Sequence, residues 1–431
     1  MPHFVSLYLD RDLDKEPVMP ELSRRKILIA GGALGAAGAL GGLGAMPPVM
    51  ARPQWSWTAA MSVAGGSGTG IDPQWLWDDE VDSLMAAVID RGDVPLVNQH
   101  LETWTRNDQP VPDGLPADVK NWMNRARALP DWVDHGKLRA AADFNKSRGI
   151  LLNLCNGPGG GMLSTAIPRE ARAVYYSKGG ADMEDRVAKT SILGFSVGDL
   201  NAYQPDGDCI VQAVKTRMVH ASVRHLLPQS PHWTETSGGQ KIPISIADVL
   251  VTWHSLPTWT MQKLLEWDVR MTTEESEGYL HSWQVTAHML GVPDEYIPGS
   301  WDAANLQSKQ IFDPVLGPTS EGVILTDILL GQLAEQTSPG SLSRPAVNAL
   351  ARFLVGDKIA DWDGIPREPF WESAIRAVWP AFIRLREGAI RLPLVPSLAW
   401  AIDEAARNYL MFYLTKGQGT HISIPDTNRT F

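Results

Sequence analysis

Apolar positions recur at helical spacing through most of the chain. Val81, Leu84, Met85, Val88 and Ile89 follow the i, i+3, i+4, i+7, i+8 stripe of an amphipathic helix. A second pattern opens at Thr272, where Thr272 and Glu275 read as a capping box and Tyr279, Trp283 and Ala287 share one face. Similar patterns predict helices over 321–335, 343–356, 368–387 and 396–415. Alternating β-branched runs are scarce, and 241–246 is the best strand candidate. The predicted class is mainly α. Residues 54–71 carry Gly, Ser and Trp without a period and read as a surface arm. The proline-rich breaks at 107–116, 228–232, 292–299 and 364–369 are too short for interdomain linkers. Gly157-Pro158-Gly159-Gly160-Gly161 lacks the Lys-Ser/Thr ending of a phosphate loop, so a loop or crowded helix start is expected there.

Before these patterns lies a different kind of segment. Arg24-Arg25-Lys26 leads into an apolar run from Ile27 to Met46 that contains seven glycines. Twin arginines before a weakly hydrophobic stretch match a bacterial twin-arginine export signal rather than a stop-transfer helix. Val49-Met50-Ala51 suits cleavage, with a mature start near Arg52. A secreted protein with no membrane anchor after cleavage is expected. Export of a folded chain also hints at a cofactor inserted beforehand.

Composition narrows the chemistry. Lys plus Arg number 38 and Asp plus Glu 49, a net charge of −11, so nucleic acid and anionic lipid are poor partners. Cys155 and Cys209 are the only cysteines, too few for a disulfide framework, a four-thiolate metal site or a C-x-x-C-H haem attachment. One bridge between them is compatible with the sequence. No H-E-x-x-H and no G-x-S-x-G occurs, which removes the motifs of zincins and α/β-hydrolases.

The most informative stretch is Val211 to Pro228. Val211, Val214, Met218, Val219 and Leu226 share one helical face, and His225 joins them as an expected core histidine. His220 points the other way, flanked by Arg217 at i−3 and Arg224 at i+4. From spacing alone this is either a solvated basic stripe or the surroundings of a haem iron, with arginines meeting propionates or holding neighbouring helices. A second stripe joins Arg186, Lys189, Thr190 and Leu193. Glu170 follows Pro168, where a helix start is expected. Alone, each of these reads as an ordinary helix surface.

Together, R-E-A-R-A-V-Y-Y (169–176), D-R-V-A-K-T (185–190) and R-M-V-H-A-S-V-R-H-L-L-P-Q-S-P-H-W (217–233) resemble the latex clearing proteins, or rubber oxygenases. The resemblance implies a globin-like helical core (141–415) with additional N- and C-terminal helices. Residues 1–51 would be the signal, 52–140 an N-terminal arm with helices, and 416–431 a C-terminal tail. It implies one non-covalent haem b, with His220 as proximal iron ligand and Lys189 as distal ligand of a closed state. Arg186 and Thr190 stand beside Lys189, Glu170 matches the distal base, and Arg217 and Arg224 support the haem. A lysine ligates iron only as the neutral amine, so Lys189 would need burial to lose its proton. The implied reaction is cleavage of the C=C bonds of cis-1,4-polyisoprene by O2, leaving aldehyde and ketone ends, by a monomer. The rivals are a haem oxygenase acting on a smaller terpenoid double bond and a globin-like haem or dioxygen carrier without turnover; the carrier has no need of Glu170.

Overall fold

Helices form the framework of this computed structural model, which describes residues 54–56, 62–65, 69–240, 242–336, 343–417 and 419–430. The expected export signal lies outside the described residues. The principal helices are α1 (Asp79–Asp90), α2 (His135–Leu154), α3 (Pro168–Tyr176), α4 (Met183–Gly198), α5 (Cys209–Leu226) and α6 (Ile246–Trp253). They continue with α7 (Thr273–Met289), α8 (Ser320–Gln336), α9 (Arg344–Val355), α10 (Pro369–Ala389) and α11 (Val395–Leu414). The fold is mainly α, and from Gln54 onward the described residues belong to one compact unit.

Local chemistry explains the helix ends. The capping box at the start of α7 closes in both directions: Glu275 N donates to Thr272 Oγ1 at 3.1 Å, and Thr272 N donates to Glu275 Oε2 at 2.8 Å. α2 and α7 cross closely because Gly278 has no Cβ; a methyl there would sit 2.7 Å from Lys137 O. Phe144, Leu151, Tyr279, Val285, Val211, Val214 and Met218 fill the core around that crossing.

Two expectations fail for local reasons. Within the candidate strand at 241–246, the described residues 242–245 form a turn that leads into α6, because Ser245 and Asp248 form a second capping box that starts a helix at Ile246. Ile244 takes φ 53° in this turn, a strained conformation for a β-branched residue. The surface arm instead carries a short antiparallel pair, β1 (Gln54–Ser56) with β2 (Thr69–Ile71), with Trp55 opposite Gly70.

The glycine-rich run is crowded, as expected. It forms a π-turn, Cys155–Gly159, that continues α2 beyond Pro158. A second π-turn, His254–Thr258 with Pro257 inside it, extends α6. The two turns pack against each other, with Gly159 against Trp259 and Gly160 against Leu256. Cys155 and Cys209 are both free and buried, so no bridge forms.

The C-terminal tail is tied down. Asn428 Nδ2 donates to Leu226 O at 2.6 Å, and Arg429 Nη1 donates to Tyr175 O at 3.2 Å. These bonds fasten the ends of α5 and α3, the helices that carry His220 and Glu170.

Candidate active site

Two pairs of ionic rungs set the geometry. Between α3 and α6, Arg169 grips Asp248 through both carboxylate oxygens, at 2.7 and 3.0 Å. One residue further on, Thr252 Oγ1 donates to Glu170 Oε1 at 2.6 Å. Asp248 and Thr252 are one turn apart on α6, so the salt bridge fixes the register that brings Glu170 to Thr252.

The second pair joins α5 to α1. Arg217 binds Asp78, the residue capping α1, and Arg224 Nη2 meets Asp82 Oδ1 at 2.7 Å. Arg224 Nη1 also donates to Ile244 O at 2.8 Å, and Arg217 lies over the ring of Trp122. Both guanidiniums are therefore occupied by protein acceptors. Of the two roles open to them, holding neighbouring helices is the one these contacts show. Gly291 leaves room for this arrangement: φ is +89°, and a Cβ there would collide with Asp78 Oδ2.

His220 stands between those two rungs. Its ring makes no hydrogen bond, and Nδ1 is buried without a partner. Burial first, then the charges of Arg224 and Arg186, push its pKa down to about 3, so the imidazole is neutral. A neutral imidazole with free ring nitrogens fits a metal ligand. His225 departs from expectation: it is half-buried at the protein edge, with Nε2 3.6 Å from Asp90 Oδ1, and is not a core residue.

Glu170 and Arg186 share this neighbourhood. Burial, opposed in part by the Thr252 hydrogen bond, pushes the Glu170 carboxyl up to about 8. Nearby Asp248 raises it further, while Arg186 favours the carboxylate. Burial lowers the Arg186 pKa, and among the described residues it forms no hydrogen bond or ion pair, although it feels Glu170. Glu170, Arg186 and His220 are all partly buried.

The remaining two expected site residues stand apart. Lys189 Nζ meets Asp185 Oδ2 at 2.6 Å along α4. Thr190 is exposed. The structure thus brings Glu170, Arg186 and His220 together electrostatically, and leaves Lys189 in a separate ion pair.

Comparison with known proteins decides what this arrangement belongs to. A family model described as "ER-bound oxygenase mpaB/B'/Rubber oxygenase, catalytic domain" matches residues 149–386. The chain is 54% identical to a rubber oxygenase of Streptomyces sp. (strain K30) over 411 residues, 95% of this chain and 100% of the relative. The chain belongs to the rubber oxygenase family. A solved structure, that of latex clearing protein LCP in the closed state, aligns to this rubber oxygenase with a TM-score of 0.77. It is 54% identical and covers 86% of this chain and 99% of that one. Of the site residues and their partners discussed above, only Asp78, Asp82, Asp90 and Trp122 fall outside the matched catalytic domain. In this rubber oxygenase, Thr252, Asp78 and Asp82 had no motif to mark them, and Arg169, though inside R-E-A-R-A-V-Y-Y, was not singled out. Only Ser245-x-x-Asp248, a capping-box pattern, was there to be found.

Proposed function

We propose that the enzyme cleaves the C=C bonds of cis-1,4-polyisoprene with O2 at the site formed by Glu170, Arg186, Thr252 and His220. Each trisubstituted double bond takes up one O2 and yields one ketone and one aldehyde end, so both oxygen atoms are retained. The observation that carries this reading is the pairing of an enclosed carboxyl, Glu170, with an unbonded neutral imidazole, His220, in a member of this family.

Haem fits the donor set. His220 would hold it through a ring nitrogen, and the unpaired Arg186 is the free cation nearby for an anionic group. Bound there, it would supply the iron that binds and activates O2, while the electrons taken up by O2 come from the C=C bond that is cut. Arg217 and Arg224 would keep α5, and with it His220, in place.

The protein's own groups manage the proton. Near neutral pH the Glu170 carboxyl is poised between its two forms, and Thr252 and Arg186 favour the carboxylate. It is suited to take an allylic proton from the polymer and return it before the product leaves, since cleavage consumes no net proton. Iron ligation by Lys189 in a closed state requires the Asp185 pair to open and the ammonium to lose its proton. Export by the twin-arginine route supports an extracellular substrate too large to enter a cell. A visible spectrum of purified protein tests the cofactor: His220→Ala should carry little haem, and His225→Ala should keep most of it. Full haem loading of His220→Ala would overturn the assignment.

A further inference from the structure

The two C-terminal helices present an apolar surface that no other described residue covers. On α11 the usual arrangement is inverted. Its buried residues include Asp403 and Arg407, while Leu394, Leu398, Ile402 and Phe412 face outward. Leu394 is 81% exposed, Phe412 66% and Leu398 62%. Val378, Phe382 and Leu385 on α10, and Leu392 in the connecting turn, extend the exposed run. Scattered exposed apolar residues are ordinary, but a helix whose buried side chains are Asp403, Arg407 and Leu414 while Leu398, Ile402 and Phe412 stand exposed is suited to an apolar phase.

The buried charges have a clear task. Arg407 Nη1 binds Asp199 Oδ1 at 2.9 Å at the end of α4, and Arg407 Nη2 meets Asp403 Oδ2 at 2.8 Å. Asn153 of α2 donates to Asp403 Oδ1 at 2.7 Å. α10 is tied to the same stretch of α2, where Arg148 Nη2 meets Glu387 Oε2 at 3.0 Å. The exposed leucines are thus held on a rigid base, and α11 lies directly on α4, the helix that carries Arg186.

We infer that the outward face of α10, α11 and their connecting turn is where the enzyme adsorbs to the surface of its solid hydrocarbon polymer. The inference rests on the proposed substrate. Charge favours that occupant along the outward row Leu394, Leu398 and Ile402, which carries none and matches an uncharged hydrocarbon; the exposed charges Glu404, Arg384 and Arg391 lie beside the apolar residues, where the long arginine stems can flank an apolar contact. No described helix is long and apolar enough to cross a membrane, so this face lies on a surface rather than spanning one. One helix diameter, about 10 Å, separates the polymer from α4, close enough for a strand to be drawn inward without the enzyme letting go.

The test compares the holoenzyme with its Leu394→Ser/Leu398→Ser/Phe412→Ser variant, using a Leu96→Ser/Leu265→Ser variant as control for exposed apolar residues elsewhere. Adsorption is read by sedimentation with cis-1,4-polyisoprene particles and, separately, with lipid vesicles. Turnover is read as O2 uptake on the particles and on a short, detergent-dispersed oligo-isoprenoid. The triple variant should adsorb to polymer at least about tenfold more weakly, lose polymer turnover in step at low particle concentration, and keep its turnover of the short substrate. The control should match wild type in all three. Unchanged adsorption of the triple variant would overturn the inference. So would an equal loss on both substrates, which marks damage to the fold, or strong wild-type binding to vesicles with none to polymer, which marks a bilayer face. If wild type adsorbs through this face yet consumes no O2 with either isoprenoid, the docking surface stands and the proposed reaction falls.

Discussion

Thr252 Oγ1 donates to Glu170 Oε1 at 2.6 Å, and this bond is aligned by the Arg169–Asp248 bridge one residue before Glu170 on α3 and one turn before Thr252 on α6. A carboxyl enclosed by protein is thereby kept within reach of ionisation at neutral pH. Removing the donor should let burial act unopposed. In Thr252→Val the pH at which polymer cleavage reaches half its maximum should move to higher pH than in wild type, with haem content unchanged. An unmoved pH profile would separate Thr252 from the titrating group.

Glu170 also carries a cost to the fold. Its pKa is raised from 4.5 to about 8, so the folded protein binds a proton that the unfolded chain releases above pH 4.5. The penalty is absent near pH 4, grows as the pH rises through the interval between those values, and is complete above about 8. Glu170→Gln should therefore unfold at higher temperature than wild type at pH 8, by on the order of 2–4 kcal/mol, and lose that advantage near pH 4. Its turnover should fall by roughly 10²–10⁴-fold while haem is retained. Equal melting at both pH values would show that Glu170 is not desolvated, and full turnover would remove it from the reaction.

The rungs beside His220 invite a swap. Arg224→Met alone leaves Asp82 without its partner and should cost roughly 3 kcal/mol. Adding Asp82→Leu should recover most of that stability and restore haem binding, because the pair holds α1 to α5. If the double variant folds well but binds no haem, Arg224 has a direct role at the cofactor. Calorimetry and the haem absorption of the same samples decide between the two.

Gly291→Ala probes the other rung from outside. The added methyl meets φ of +89° and the Asp78–Arg217 pair at once. A loss of more than about 1 kcal/mol is expected, with weakened haem retention. Stability equal to wild type would mean that α1 and α5 have room to part there.

Much of this was legible in the residues. Helix ends are local: Thr272 with Glu275, and Pro168 before Glu170, show themselves in a few residues, and the structure agrees. His220 and Glu170 stood out only through long motifs, because an imidazole on a helix is chemically ambiguous by itself. What escaped was non-local. Whether Arg217 and Arg224 meet a cofactor or Asp78 and Asp82 depends on a helix about 140 residues away in sequence. Thr252 gains meaning only from the α3–α6 register. His225 was misplaced because its apolar helix face ends at the protein edge beside Asp90. The candidate strand at 241–246 yielded to the Ser245 capping box, which short-range pairing had already encoded.

The central claim is the oxidative cut itself, and isotope labelling reads it directly. Purified haem-loaded enzyme is incubated with cis-1,4-polyisoprene under ¹⁸O2, without added reductant or peroxide, and the products are trapped and weighed by mass spectrometry. Oligomers of several lengths, each with one aldehyde and one ketone end and ¹⁸O at both, are the expected result. Products labelled at one end only, or none from polyisoprene alongside ready cleavage of a small isoprenoid, would contradict it.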